Sequence, residues 1–177
     1  MSTNSAETDP LRPGELAVPL PDRTDARLIF IGRIHTPFPT RRDCPRQGTP
    51  DGPVCRLELN PPFDQALAGL ERYAYVEVLY WMHEARRDLI SQSPKSNGRT
   101  TGTFSLRSPL RPNPIGTAVC RLVGRETGTL LVRGLDCLDG TPLLDIKPYR
   151  GEFRPVASDK PVTGEDATPW CAKSGGT

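Results

Sequence analysis

Thirteen prolines between Ala26 and Arg150 constrain this chain more than any other feature. Each lacks a backbone N–H and fixes φ, so long helices are few and short extended runs between turns are favoured. The apolar runs agree. Arg27–His35 (RLIFIGRIH) is β-branched and apolar until Thr36-Pro37 cuts it off, and Val54–Leu59 alternates, with Arg56 and Glu58 on one side. Tyr73–His83 carries Ala74, Val76, Val78, Tyr80 and Met82 on one face and Tyr73, Tyr75, Glu77, Leu79, Trp81 and His83 on the other. A strand apolar on both faces needs cover on both, and the second cover is expected to be another layer or another subunit, hence a homodimer.

Four further strands are expected at Thr103–Leu106, Thr117–Val123, Thr129–Leu135 and Leu143–Ile146, with a polar loop over residues 84–102. A brief helix capped by Asn60, with Pro61 first, runs to Gly69. Many short strands without a glycine-rich strand-to-helix turn exclude a Rossmann sheet. The expected fold is mostly β, a single-domain antiparallel barrel-like structure over residues 26–154 with one or two short helices. Residues 1–25 and 155–177 read as flexible tails. Trp170 in the second is either docked or exposed.

No apolar run approaches the roughly 20 residues that span a bilayer, and the first 25 residues show no secretory pattern. No membrane association and a cytoplasmic location are expected. The five cysteines (44, 55, 120, 137 and 171) show no CxxC spacing, so reduced thiols and no metal site are expected. The net charge of +2 conceals an uneven distribution. Residues 86–125 hold eight Lys or Arg against one acid, Asp88, whereas the first 26 hold two arginines against five acids. The basic segment is either a solvated face or a surface for an anion such as RNA.

Two motifs are not explained by packing. Arg107–Gly116 (RSPLRPNPIG) sets three prolines and two arginines into ten residues, and Leu138–Tyr149 (LDGTPLLDIKPY) is a turn followed by a strand. In the second, Asp145 and Lys147 share a face and suit either an ion pair or a catalytic role. With Phe30–Phe38 (FIGRIHTPF) and Gly69–Glu84 (GLERYAYVEVLYWMHE), these blocks make residues 28–149 similar to the TsaA-like family, also called TrmO. Its characterised members are S-adenosylmethionine-dependent methyltransferases.

The resemblance implies that S-adenosyl-L-methionine is the cofactor. It is held by Pro45, Arg46 and Gln47 of the first long loop, by His83 and Glu84, by Arg107 and Thr117, and by Asp136, Cys137, Leu138 and Asp139. Glu84 stands where the family commonly has Gln. The residue types suit the ligand, because a guanidinium grips a carboxylate bidentately and aspartates accept from ribose hydroxyls and an ammonium. Asp139, before Gly140, is equally ordinary turn chemistry. No residue identifies itself as the general base.

The implied activity is N6-methylation of threonylcarbamoyladenosine next to the anticodon of tRNA. Alternatives are methylation of another RNA or a small-molecule acceptor, or a non-catalytic module binding RNA or another anion. Several characterised members carry a further C-terminal domain, for which the 28 residues after Tyr149 are too few.

Overall fold

The structure, a computed structural model, describes residues 10–21, 26–94 and 99–150. Trp170 and the 155–177 segment lie outside the described residues. Among the described residues nine strands form two sheets: β1 (Leu16–Ala17), β2 (Gly32–His35), β3 (Cys55–Leu59), β4 (Tyr75–Trp81), β5 (Leu89–Gln92), β6 (Thr101–Gly102), β7 (Ile115–Glu126), β8 (Thr129–Arg133) and β9 (Thr141–Pro148). Six close into an antiparallel barrel in the order β2-β3-β8-β7-β4-β9, and β1-β5-β6 make a small separate sheet. Closure pairs every barrel strand on both sides and leaves no exposed edge.

The two-residue period builds the core. In β3, Cys55, Leu57 and Leu59 point inward while Arg56 and Glu58 face solvent, and β4 buries Val76, Val78 and Tyr80. Ile34, Leu130, Val132 and Leu143 fill the interior between them. The outward face of β4 is only half covered, and Trp81 is capped by the Arg87 guanidinium 5.2 Å from its ring centroid. Part of the cover expected from a second subunit is thus supplied by the chain itself.

Several local expectations change. The segment before β2 is not strand until Gly32. The expected helix is a 3-10 turn, Phe63–Leu67, in which Asn60 contributes its backbone carbonyl to the Phe63 N–H and no side-chain cap. Two consecutive prolines, Pro61 and Pro62, supply no N–H to begin an α-helix. Thr103–Ser105 is likewise a 3-10 turn rather than a strand. Its reason is local: Thr103 Oγ1 donates to the Leu89 carbonyl and accepts from Gln92 Nε2.

The polar loop over residues 84–102 contains β5 and β6, and Leu16–Ala17, in the expected N-terminal tail, pairs with β5. Asp145 and Lys147 form an ion pair on the outer wall, the structural reading of that pair. Among the described residues no helix is long and apolar enough to cross a membrane.

Candidate functional site

Register decides where the loops go. His35 ends β2 opposite Arg56 at the start of β3, Cys55 pairs with Val132 near the end of β8, and Trp81 ends β4 opposite Ile115 at the start of β7. Ile34 pairs with Thr141, the first residue of β9. The 36–54 loop, the turn after β4, the proline-rich segment before β7 and the 134–140 turn therefore emerge from one end of the barrel. These segments carry ten of the eleven residues proposed to hold the cofactor.

The loops are joined by named contacts. The Thr36 N–H donates to Asp139 Oδ1 at 3.1 Å, Thr36 Oγ1 donates to the Cys137 carbonyl at 2.9 Å, and the Asp139 N–H donates to the Phe38 carbonyl. His35 Nδ1 lies 3.4 Å from the same Asp139 oxygen. Arg41 Nη2 donates to the Glu84 carbonyl, and Arg41 Nε stands 3.5 Å from its carboxylate. Burial, then the charges of Asp136, Asp43 and Glu84, push the Cys44 thiol up. The fourth segment joins through the Met82 N–H to the Pro114 carbonyl and Arg87 Nε to the Pro112 carbonyl.

Several of the proposed residues sit on the segments these contacts join. Pro45, Arg46 and Gln47 are exposed on the first loop, just before Gly48 packs against the Gly134 backbone. His83 and Glu84 occupy an exposed turn closed by the Ala85 N–H to the Met82 carbonyl. Cys137 is buried and presents backbone, Leu138 gives its carbonyl to Thr141 Oγ1, and Asp139 is engaged by Thr36. Asp139 sits in the turn that the Thr141 N–H closes onto the Leu138 carbonyl, and its side chain accepts from the Thr36 N–H across the loops.

Thr117 stands apart. It lies on the outer wall of β7, where its hydroxyl donates to Glu77 Oε1 at 2.9 Å. The two arginines of the proline-rich motif also separate. Arg111 folds back onto the Ser108 and Leu106 carbonyls, whereas Arg107 is exposed and has no hydrogen-bond partner among the described residues.

One structural participant was invisible in the sequence. Tyr80 reaches up from the core and donates from Oη to Asp136 Oδ1 at 2.7 Å, leaving Asp136 Oδ2 without a donor among the described residues. Its ring needs Gly116: a Cβ there would sit 2.1 Å from Tyr80 Cε2. Burial, followed by the neighbouring Asp136 charge, drives the phenol far above its ordinary range, so it remains a donor throughout the pH range of a folded protein. Nothing in an alternating aromatic strand marks one tyrosine for this task. Tyr80→Phe is expected to cost about 1–3 kcal/mol of stability in denaturant titrations, the loss of a buried bond to a charged acceptor.

The buried cysteines follow the same physics. Burial pushes the Cys55 thiol to about 11 and that of Cys120 to about 12, and it raises Cys137 further. Among the described residues no group of three His, Cys, Asp or Glu could hold a metal ion. A cavity of about 590 Å³ lined by Ile31, Leu59, Phe63, Tyr73 and Pro148 sits at the other end of the barrel and includes none of the proposed residues.

Comparison with known proteins decides the family. Residues 33–153 match the tRNA-methyltransferase O N-terminal domain. The chain belongs to this family. A probable S-adenosyl-L-methionine-binding protein, VirR of Rhizobium radiobacter, is 52% identical over 147 residues, covering 83% of this chain and 84% of that protein. The human tRNA (adenine(37)-N6)-methyltransferase is 34% identical over 137 residues, 70% of this chain but 30% of its own length. The crystal structure of TrmO from Pseudomonas aeruginosa superposes with a TM-score of 0.63 at 39% identity, covering 84% of this chain and 65% of that one. This TrmO-family chain thus spans less than two thirds of its solved relative.

Proposed function

We propose that this chain binds S-adenosyl-L-methionine at the loop end of its barrel and methylates N6 of threonylcarbamoyladenosine next to the anticodon of tRNA. The carrying observation is the gathering of the 36–54 loop, the His83–Glu84 turn, the proline-rich segment and the Asp136–Asp139 turn at that end. The names of the relatives support the cofactor and the tRNA adenine.

The donor set suits the cofactor. Arg46 and Arg107 are exposed cations with no partner among the described residues, fit for its carboxylate. Asp136, held at one oxygen by Tyr80, offers the other to a hydroxyl or ammonium. When bound, the cofactor supplies an electrophilic methyl group on a sulfonium. The chain's own contribution is positioning, since fixing two reactants in line removes much of the entropic cost of their encounter. Burial raises the Cys44 and Cys137 thiols above their ordinary range.

Incubation with S-adenosyl-L-methionine and tRNA carrying threonylcarbamoyladenosine is expected to add one methyl mass to that nucleoside on mass spectrometry. Cofactor binding with no mass gain would move the acceptor to another RNA or a small molecule. Absence of cofactor affinity would leave an anion-binding module. The reading includes action in the cytoplasm, where such tRNA resides, and a homodimer formed through the outer wall of β4 and β7. Ile115, Val119 and Val123 remain 41%, 43% and 44% exposed there. Light scattering should give twice the chain mass, and Val119→Lys should halve it.

A further inference from the structure

Phe104 is 84% exposed, more than any other large apolar residue described; the next, Ile29, is 69% exposed. A scattered exposed apolar side chain is ordinary. This one is held in place. Thr103 before it is 2% exposed and bonded through Oγ1 to the Leu89 carbonyl and Gln92 Nε2. Ser105 after it donates to the Gly102 carbonyl at 2.7 Å and bonds Thr101 Oγ1 at 2.8 Å. With both neighbours fixed, the turn presents an aromatic ring to solvent on a rigid base.

The charge around it is selective. Asp88, the one acid of the basic segment, is taken by Arg86 at 2.7 Å. Arg87 is spent on Trp81 and Pro112, Arg111 on Leu106 and Ser108, and Arg125 on the Leu67 carbonyl. Arg121 faces outward at the far end of the barrel, opposite Tyr75. Arg99 is engaged as well, and Arg107, three residues after Phe104 in the chain, is exposed with no hydrogen-bond partner among the described residues. An exposed aromatic face with an exposed arginine three residues on in the chain suits a base joined to an anionic group.

We propose that Phe104 is a stacking platform for an adenine ring, with Arg107 engaging the carboxylate or phosphate of the same ligand. The proposal rests on the cofactor and tRNA reading above and adds the base-recognition residue. Two molecules in that reaction carry an adenine, the cofactor and the tRNA nucleoside, and the variants separate them.

Wild-type protein, Phe104→Ala, Phe104→Leu and Phe104→Trp are titrated with S-adenosyl-L-methionine by calorimetry, and with tRNA carrying threonylcarbamoyladenosine at one salt concentration. Leucine keeps apolar bulk and removes the π face; tryptophan keeps the face. Alanine and leucine are each expected to weaken binding about tenfold, and tryptophan to hold it within about threefold. Weaker cofactor binding assigns the ring to the cofactor's adenine, and weaker tRNA binding alone assigns it to the RNA. Ile29→Ala, an exposed apolar control, should change neither.

Leucine binding both ligands as wild type does, or alanine doing so, overturns the proposal. So does a fall in molecular mass for the alanine variant by light scattering, which would make a second copy of the chain the ring's cover. A wild-type protein that binds neither ligand overturns the cofactor reading as well, whereas altered-ring variants that bind normally overturn this inference alone.

Discussion

Gly48→Ala is expected to raise the dissociation constant for S-adenosyl-L-methionine by at least about a hundredfold while the barrel still unfolds cooperatively. A Cβ at Gly48 would lie 1.9 Å from the Gly134 carbonyl oxygen and 2.3 Å from its carbon. Those are backbone atoms and cannot rotate aside. The 36–54 loop must lift, carrying Pro45, Arg46 and Gln47 away from the Asp136 turn, so one wall of the site is lost. Stability should fall by only about 1–3 kcal/mol, the usual cost of overpacking, because the interior built from Ile34, Leu57 and Val132 is not touched. Gly102→Ala is the control, since a Cβ there meets nothing within 4 Å. Calorimetry alongside denaturant titration reads both quantities. Unchanged cofactor binding in Gly48→Ala would remove the first loop from the site.

The barrel strands could be read in the sequence because their burial alternates. Cys55, Leu57 and Leu59 on β3, and Val76, Val78 and Tyr80 on β4, each need one buried face, and a period of two records it. The small sheet left no comparable trace. Leu16–Ala17 and Thr101–Gly102 are two-residue strands whose existence depends on β5, too short to show a period, and β1 pairs with a segment more than seventy residues away. The Thr103 turn was missed for a related reason, its hydroxyl being held by Leu89 and Gln92 rather than by its own segment.

The candidate site divides along the same line. Its residues were nameable from motif resemblance, but the gathering of their loops at one end, Thr117 excepted, follows from six strand registers, which only the folded chain fixes. Tyr80 under Asp136 and Gly48 against Gly134 are contacts between distant segments of unremarkable composition. Neither has a local signature. Glycine's role at position 48 comes from the backbone it meets, not from its own conformation.

Arg107→Ala and Arg111→Ala are expected to divide the proline-rich motif into a binding residue and a structural one. Arg107 gives up no described hydrogen bond when it is truncated, so stability should stay within about 0.5 kcal/mol, as for an ordinary surface change. Cofactor affinity should fall about 30- to 100-fold, the loss of a charge-assisted contact worth roughly 2–3 kcal/mol. Arg111 behaves oppositely. Its guanidinium ties the Ser108 carbonyl at 2.9 Å and the Leu106 carbonyl into one turn, and removing it should cost about 1–3 kcal/mol of stability with a smaller effect on binding. Arg107→Lys sharpens the test, because lysine keeps the charge and loses the planar fork; it should recover only part of the affinity. Equal effects of Arg107→Ala and Arg111→Ala on binding would mean that the motif acts as a scaffold alone. The prolines then fix a shape, and the cation for the cofactor's carboxylate must come from Arg46 on the facing loop.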